Sequence, residues 1–248
     1  MSHLAPALLR RQLFLKMFKK RSYQKEFLDE PYIGRDLLFQ NLKELETINK
    51  YLGGYAISLK GLREVMTDKS KTYTIIDIGC GGGDSLKTIA KWGRDKQYKV
   101  SLTGIDLKRD CIDYAQRNCS AFPEINFYCD DFRNVFSRIT DIDIVHASLF
   151  CHHFKEDEIG KFIKFCDKNK AVFIINDLER NPVAYYAIKL LTRVFSKSPL
   201  VKNDAPLSVR RGFKKAEWHT ILKKAGIKRF LIRNCLAFRH LIIAYPNE

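Results

Sequence analysis

The residues Thr74–Asp84, TIIDIGCGGGD, pass from an apolar run into a glycine-rich turn and on toward a helix. Ile75, Ile76 and Ile78 are β-branched and belong in a buried parallel strand. Gly79, Gly81, Gly82 and Gly83 lack the Cβ atoms that would keep a ligand off the backbone. Asp84 and Ser85 then open a helix, whose first N–H groups need partners.

Such a turn can serve two kinds of ligand. A dinucleotide fingerprint places its third glycine where Asp84 stands, and a pyrophosphate docks on a helix N-terminus that Asp84 would make repulsive. The spacing present is Gly79-x-Gly81-x-Gly83, with Asp77 at the strand end. It suits a cationic ligand, and S-adenosylmethionine carries both a sulfonium and an ammonium group. On these residues the chain resembles the class I S-adenosylmethionine-dependent methyltransferases, over Thr72–Asn181 most clearly and over the remainder loosely. The resemblance implies that Asp77, Gly79, Cys80 and Gly81 form the methionine and ribose end of a cofactor site.

The later pieces follow in order. Val100–Leu107 reads as the second strand and ends at Asp106, roughly twenty residues past the turn, where nucleotide-binding α/β folds present a carboxylate. Asp106 has two possible roles: N-cap of a helix over Lys108–Cys119, or acceptor for the ribose hydroxyls, which the resemblance implies. Ile125–Cys129 is the third strand. After it, the resemblance assigns the adenine amino group to Asp130, with Asp131 the alternative, and Phe132 or Leu107 is the apolar neighbour for the ring. Asp143–Leu149 is the fourth strand, and the resemblance runs His146, Ala147 and Ser148 past the methionine portion. Phe150-Cys151-His152-His153-Phe154 comes next. His152 or His153 is a candidate general base, with a cap or core hydrogen bond as the alternative. A metal site is not expected here, because contiguous side chains diverge and no second ligand pair stands at a usual spacing.

The chain is long enough for one α/β domain with additions. Residues 1–70 read as an N-terminal helical cap and 71–248 as the main domain. Ala5–Lys20 can be drawn as an amphipathic helix that packs on the domain, lies on a membrane surface or forms part of a lid. Asp36–Leu52 and Tyr55–Met66 make a helical hairpin that covers the sheet or brings Tyr51 and Tyr55 to the pocket. Ala171–Asp177 is the fifth strand. Asn181-Pro182 starts an inserted helix, followed by a basic loop over Ser196–Gly212 in which Arg210-Arg211 is a solvated pair or an anion site. Arg229–Leu236 and Arg239–Ala244 close the chain as an antiparallel pair. The expected fold is therefore α/β: a Rossmann-like, doubly wound, seven-stranded, mostly parallel sheet with an antiparallel last strand.

Seven irregularly spaced cysteines, with no C-x-x-C pair, fit reduced thiols, and no apolar run reaches spanning length. The N-terminus has no signal-peptide pattern, so the expected location is cytoplasmic. The net charge of +16 concentrates before Glu26 and over Lys189–Lys215, on the parts expected to cover the substrate. It raises an RNA acceptor as an alternative, and a peripheral contact with anionic membrane through the basic N-terminus. SLFCHHF stands where an amino-group methylase would carry N/D-P-P-Y, which argues against a nucleic-acid acceptor. The fourth segment resembles small-molecule enzymes, including the C- and O-methyltransferases of quinone and polyketide pathways. The expected reaction is methyl transfer from S-adenosylmethionine to a small aromatic or lipid-like acceptor, with no obligate protein partner. A cofactor-binding protein without catalysis is the third possibility.

Overall fold

The computed structural model describes residues 17–135, 139 and 141–248. Seven strands form one sheet in the order β3-β2-β1-β4-β5-β7-β6. They are β1 (Thr72–Ile78), β2 (Lys99–Asp106), β3 (Ile125–Cys129), β4 (Ile144–Ser148), β5 (Val172–Leu178), β6 (Phe230–Cys235) and β7 (Arg239–Ala244). The first five run parallel; β7 is antiparallel to both β5 and β6. The helices are α1 (Arg35–Tyr51), α2 (Gly54–Val65), α3 (Asp84–Lys96), α4 (Arg109–Asn118), α5 (Phe132–Val135), α6 (Glu156–Lys168), α7 (Pro182–Phe195), α8 (Pro199–Arg211) and α9 (Lys215–Lys224). Among the described residues no helix is long and apolar enough to cross a membrane.

The central strands are apolar on both faces because helices cover both. Ile76, Ile78, Val145 and Ile175 belong to the cluster under α6 and α9; Ile75, Ile144, Ile174 and Leu241 belong to the cluster under α2 and α3. The strand order reverses between β1 and β4, so a crevice opens beyond their carboxyl ends, where doubly wound sheets bind ligands.

Helix α2 lies directly on this sheet. Gly61 lets it approach: a Cβ there would sit 2.7 Å from Ile174 Cγ2 and 3.0 Å from Leu241 Cδ1. A buried polar chain fixes its position along the strands. Asp77 Oδ1 is 2.7 Å from His146 Nδ1, His146 Nε2 is 2.9 Å from Ser58 Oγ, and Asn176 Nδ2 donates to the same hydroxyl (3.1 Å) and to the Gly54 carbonyl (2.8 Å).

One expectation needs correction, and another lies mostly outside the described residues. The region after α7 is a helix, not a basic loop. Ser198 caps it by accepting from the Val201 amide (3.3 Å), and Pro199 occupies its first turn. Burial of Leu200, Val201, Leu207 and Val209 outweighs the interior Pro206, which read as a breaker. The expected helix over Ala5–Lys20 falls mostly outside the described residues. Of its end, Phe18 is buried edge-on against Tyr185, at 5.5 Å between centroids, and its carbonyl accepts from Arg180 Nε at 3.0 Å.

Two glycines in helices should therefore behave oppositely. Gly61→Val should destabilise the chain by ~1–3 kcal/mol through overpacking. Gly160→Ala, with nothing within 4 Å of its added Cβ, should stabilise it by ~0.5–1 kcal/mol. Urea denaturation of both variants measures this, and equal effects would mean that α2 does not press on β5.

Candidate functional site

The turn after β1 is a sharp loop stitched to β2. The Gly79 and Cys80 amides both donate to the Ile105 carbonyl, at 2.9 and 3.0 Å. Gly79 is in the left-handed region at φ +68°, and a Cβ there would lie 2.1 Å from the Phe150 ring. Phe150 in turn packs against Phe132 and Phe154. Glycine is required at 79 because the turn rests on this aromatic cluster.

Asp106 sits beside the turn. Its Oδ2 accepts from the Gly81 amide (3.0 Å) and its Oδ1 from the Lys108 amide (2.9 Å). Burial raises its carboxyl above the ordinary range, against those two donors. Lys108, not Asp106, is the N-cap residue of α4, so Asp106 does not cap that helix; its carboxylate anchors both loops and borders the crevice.

A cavity of about 550 Å³ fills this crevice, lined by Asp77, Asp84, Asp106, Asp130 and Asp131 with Gly79–Gly82, Leu107, Phe132 and Ser148. Its two cations are already engaged: Lys108 Nζ with the Glu30 carbonyl, and Arg133 with Asp131. Arg133 holds the Asp131 carboxyl below its usual range. Asp130 accepts instead from the Asp131 amide (2.7 Å) and Asn134 (2.9 Å). Burial pushes the Asp84 carboxyl up, and the Tyr55 hydroxyl donates to it at 2.7 Å. Leu107, 70% exposed, offers an apolar face at the rim. This donor set fits a cationic nucleoside and disfavours a diphosphate.

Some expected site residues lie elsewhere. The Ala147 side chain is part of the core on the opposite face of β4, because successive strand residues alternate. His146 is a buried strut between Asp77 and Ser58. Of that trio only Ser148 lines the cavity. Tyr51 is 79% exposed and lies away from it.

A second cavity, of about 280 Å³, adjoins the first. Leu45 and Ile48 of α1, Ala184, Ile188 and Leu191 of α7, and Val201 and Val209 of α8 make most of its wall. Leu28, Leu45, Leu149 and His153 line both cavities. Leu149 itself is held at φ +52°, an unusual backbone for leucine, with its amide on the Asn176 carbonyl at 2.9 Å.

At this junction the two histidines meet carboxylates that the sequence gave no reason to place there. His152 Nδ1 lies 2.7 Å from Asp177 Oδ1, and its amide donates to Asp177 Oδ2 at 2.9 Å. His153 Nδ1 lies 2.8 Å from Asp29 Oδ1. Burial opposes ionisation of Asp177, yet His152 keeps its carboxyl below the usual range; burial likewise opposes Asp29, which His153 and Arg211 hold far down. Both partners therefore accept from an Nδ1–H, which leaves each Nε2 as the available nitrogen. Both Nε2 atoms face Glu26, at 3.6 Å from Oε1 for His152 and 3.9 Å from Oε2 for His153. Burial pushes the Glu26 carboxyl up to about 7, against the pull of His153 and Arg211.

Arg211 is not solvated. It is buried, pairs with Asp29 Oδ2 at 2.5 Å and donates to the His153 carbonyl at 3.1 Å. Arg21 is buried too. It donates to the carbonyls of Arg211, His152 and Phe154, pairs with Glu156 and stacks on Phe213. Part of the basic clusters is thus internal bracing.

Comparison with known proteins bears on the fold and the family. Residues 75–168 match the family model described as a methyltransferase domain. The ubiquinone biosynthesis O-methyltransferase of Coxiella burnetii (strain RSA 331 / Henzerling II) is 26% identical over 174 residues, 68% of each chain. The mitochondrial enzyme of the same name from Saccharomyces cerevisiae is 26% identical over 133 residues, 50% of this chain, and the match spans only 39% of that protein. A tRNA N(3)-cytidine methyltransferase of Danio rerio is 31% identical over 85 residues, 32% of this chain and 24% of that one. Among solved structures, a plantazolicin methyltransferase in complex with a desmethyl analogue and SAH superposes with a TM-score of 0.63 at 16% identity, covering 96% of this chain and 99% of that chain. The sheet order is that of the class I methyltransferase fold.

The Asp177–His152 anchor can be tested directly. Asp177→Asn sets an amide where three N–H donors converge, from the His152 ring and amide and the Leu178 amide, and should destabilise the chain by ~1–3 kcal/mol in urea denaturation. An unchanged midpoint would show that the carboxylate does not hold the histidine.

Proposed function

We propose, from the premise that residues 75–168 form a class I methyltransferase domain, that this chain transfers a methyl group from S-adenosylmethionine to a hydroxyl of a small, apolar acceptor. The observation that carries the reading is the pair of adjoining cavities, one acidic at the glycine turn and one apolar beneath α1, α7 and α8, with His153 on the wall of both. The cofactor supplies an electrophilic methyl carbon on a sulfonium. Asp77 and the Gly79–Gly81 backbone would hold its cationic end, Asp106 its ribose, and Asp130 with Leu107 and Phe132 its adenine.

The chain's own part is placement and exclusion. Leu28, Leu45 and Leu149 keep the junction apolar, so the acceptor oxygen meets the methyl carbon away from bulk water. The hydroxyl loses its proton at the cluster of His152, His153 and Glu26, whose imidazoles are fixed by Asp177 and Asp29. The quinone-pathway relatives act on oxygen by name, which supports the choice of a hydroxyl. The acceptor cavity is mostly aliphatic, which favours a ring or lipid-like body over a nucleotide.

Three measurements test this. Asp106→Ala should weaken cofactor binding by ~1–3 kcal/mol in calorimetry. His153→Ala should lower kcat by ~10²–10⁴ while cofactor affinity stays near wild type. Labelled cofactor offered with a panel of phenols, quinols and tRNA should mark an apolar phenol or quinol; labelling of tRNA alone, or no turnover on any acceptor, would refute the reading.

A further inference from the structure

We propose that Glu26, His152 and His153 bind one divalent transition-metal ion, zinc being the best match, on the wall of the apolar cavity. One oxygen of Glu26 and one nitrogen of each histidine lie within 4.8 Å of one another, and all three residues line that cavity. Two histidines and a glutamate are a known donor set for zinc sites that keep a fourth position open.

Three observations favour an ion over a hydrogen-bonded cluster. First, the Nε2–oxygen separations of 3.6 and 3.9 Å are too long for hydrogen bonds. The shorter, to Oε1, is close to the about 3.4 Å that separates two donors around a tetrahedral zinc at ~2.05 Å; the longer runs to the other oxygen, and one oxygen with both nitrogens stays within 4.8 Å. Second, each Nδ1 is already tied to a carboxylate, Asp177 or Asp29. Carboxylate–histidine–metal relays have this form: the outer acid orients the ring and leaves Nε2 for the ion. Third, Glu26 is 97% buried by its 3% exposure, and its Oε1 has no hydrogen-bond partner. A buried carboxylate oxygen without a partner is costly.

The surrounding charge agrees. Glu26, Asp29, Asp177 and Asp204 converge on the cluster from three segments: the turn at residues 26–29, the end of β5 and helix α8. Two guanidiniums border it. Arg21 is balanced by Glu156. Arg211 pairs with Asp29 and stops 3.5 Å from Glu26 Oε1, outside hydrogen-bond reach. A buried excess of negative charge remains for a dication. The ion's fourth position would face the cavity, where an acceptor oxygen could occupy it. That use of the ion rests on the acceptor-cavity reading; its binding does not.

The test is calorimetric titration of the full chain with zinc sulfate after removal of metal by chelator. One equivalent per chain is expected. Glu26→Gln, which keeps the side-chain shape, and His153→Ala should each weaken binding at least ~10-fold, as should the outer variant Asp29→Asn. Circular dichroism verifies that each variant is folded. Cys129 is exposed and Cys235 half-buried, so Cys129→Ser/Cys235→Ser tests the competing thiol explanation and should leave binding unchanged. Cobalt substitution should show no thiolate charge-transfer band. Affinity weaker than ~100 µM, undiminished binding in Glu26→Gln, or loss of binding in the cysteine variant would overturn the proposal. Because the readout is binding, failure here is distinct from failure of the acceptor panel.

Discussion

The side of the crevice beneath α1, α7 and α8 depends on where one guanidinium sits. Arg211 ends α8, yet it faces inward and joins three distant segments: Asp29 before α1, the His153 carbonyl after β4, and its own helix. Arg21 adds a second brace, bonding the Arg211 carbonyl from outside at 2.7 Å. Without these contacts the segment carrying Glu26 and Asp29 would have little reason to lie over the strand ends. Its own turn, Phe27–Asp29, has no buried residue of its own. Its amides at Phe27 and Leu28 are instead satisfied by Asp204, again from α8. Helix α8 therefore determines both where this segment docks and what charge it meets.

Charge then divides the crevice in two. On the turn side, carboxylates line the wall, and each nearby cation is committed to a neighbour. On the far side the wall is mostly aliphatic, with polar side chains at the histidine cluster and at Asn41, Asp204, Ser208 and Arg239. A ligand with a cationic sulfur and an apolar partner meet most favourably at the boundary, and Leu28, Leu45, Leu149 and His153 mark it. The left-handed backbone of Leu149 is the local strain that turns the chain from strand β4 into this boundary.

The placement of Asp106 beside the glycine turn was legible because its logic is local. The turn needs glycine within five residues of Asp77, and Asp106 must follow one helix later, so spacing alone located them. Strand alternation, applied more strictly, would also have removed Ala147 from the site and left Ser148. The histidine and carboxylate cluster was not legible for the opposite reason. Glu26 and Asp29 meet His152 and His153 across more than a hundred residues of chain, and nothing at positions 26 or 29 marks them beyond an ordinary capping box. Pro206 hid a helix, because a proline inside an otherwise buried segment reads as a break. The Arg210-Arg211 pair was visible, but burial, not sequence, decides whether an arginine is solvent-facing or structural.

The same point limits what the net charge of +16 can mean. A nucleic-acid surface needs cations that are exposed and uncommitted. Arg21, Arg180 and Arg211 are instead buried, and each is matched to an acid: Glu156, Glu217 and Asp29. Arg180 also donates to the Phe18 and Gly212 carbonyls, so it secures the described end of the N-terminal segment to the start of α9. These three residues stand in the two basic regions or next to them, and each ties a covering segment down over the strand ends. Basic residues here close a pocket whose walls are acidic and apolar, and a positive total is compatible with a site built to receive a cation.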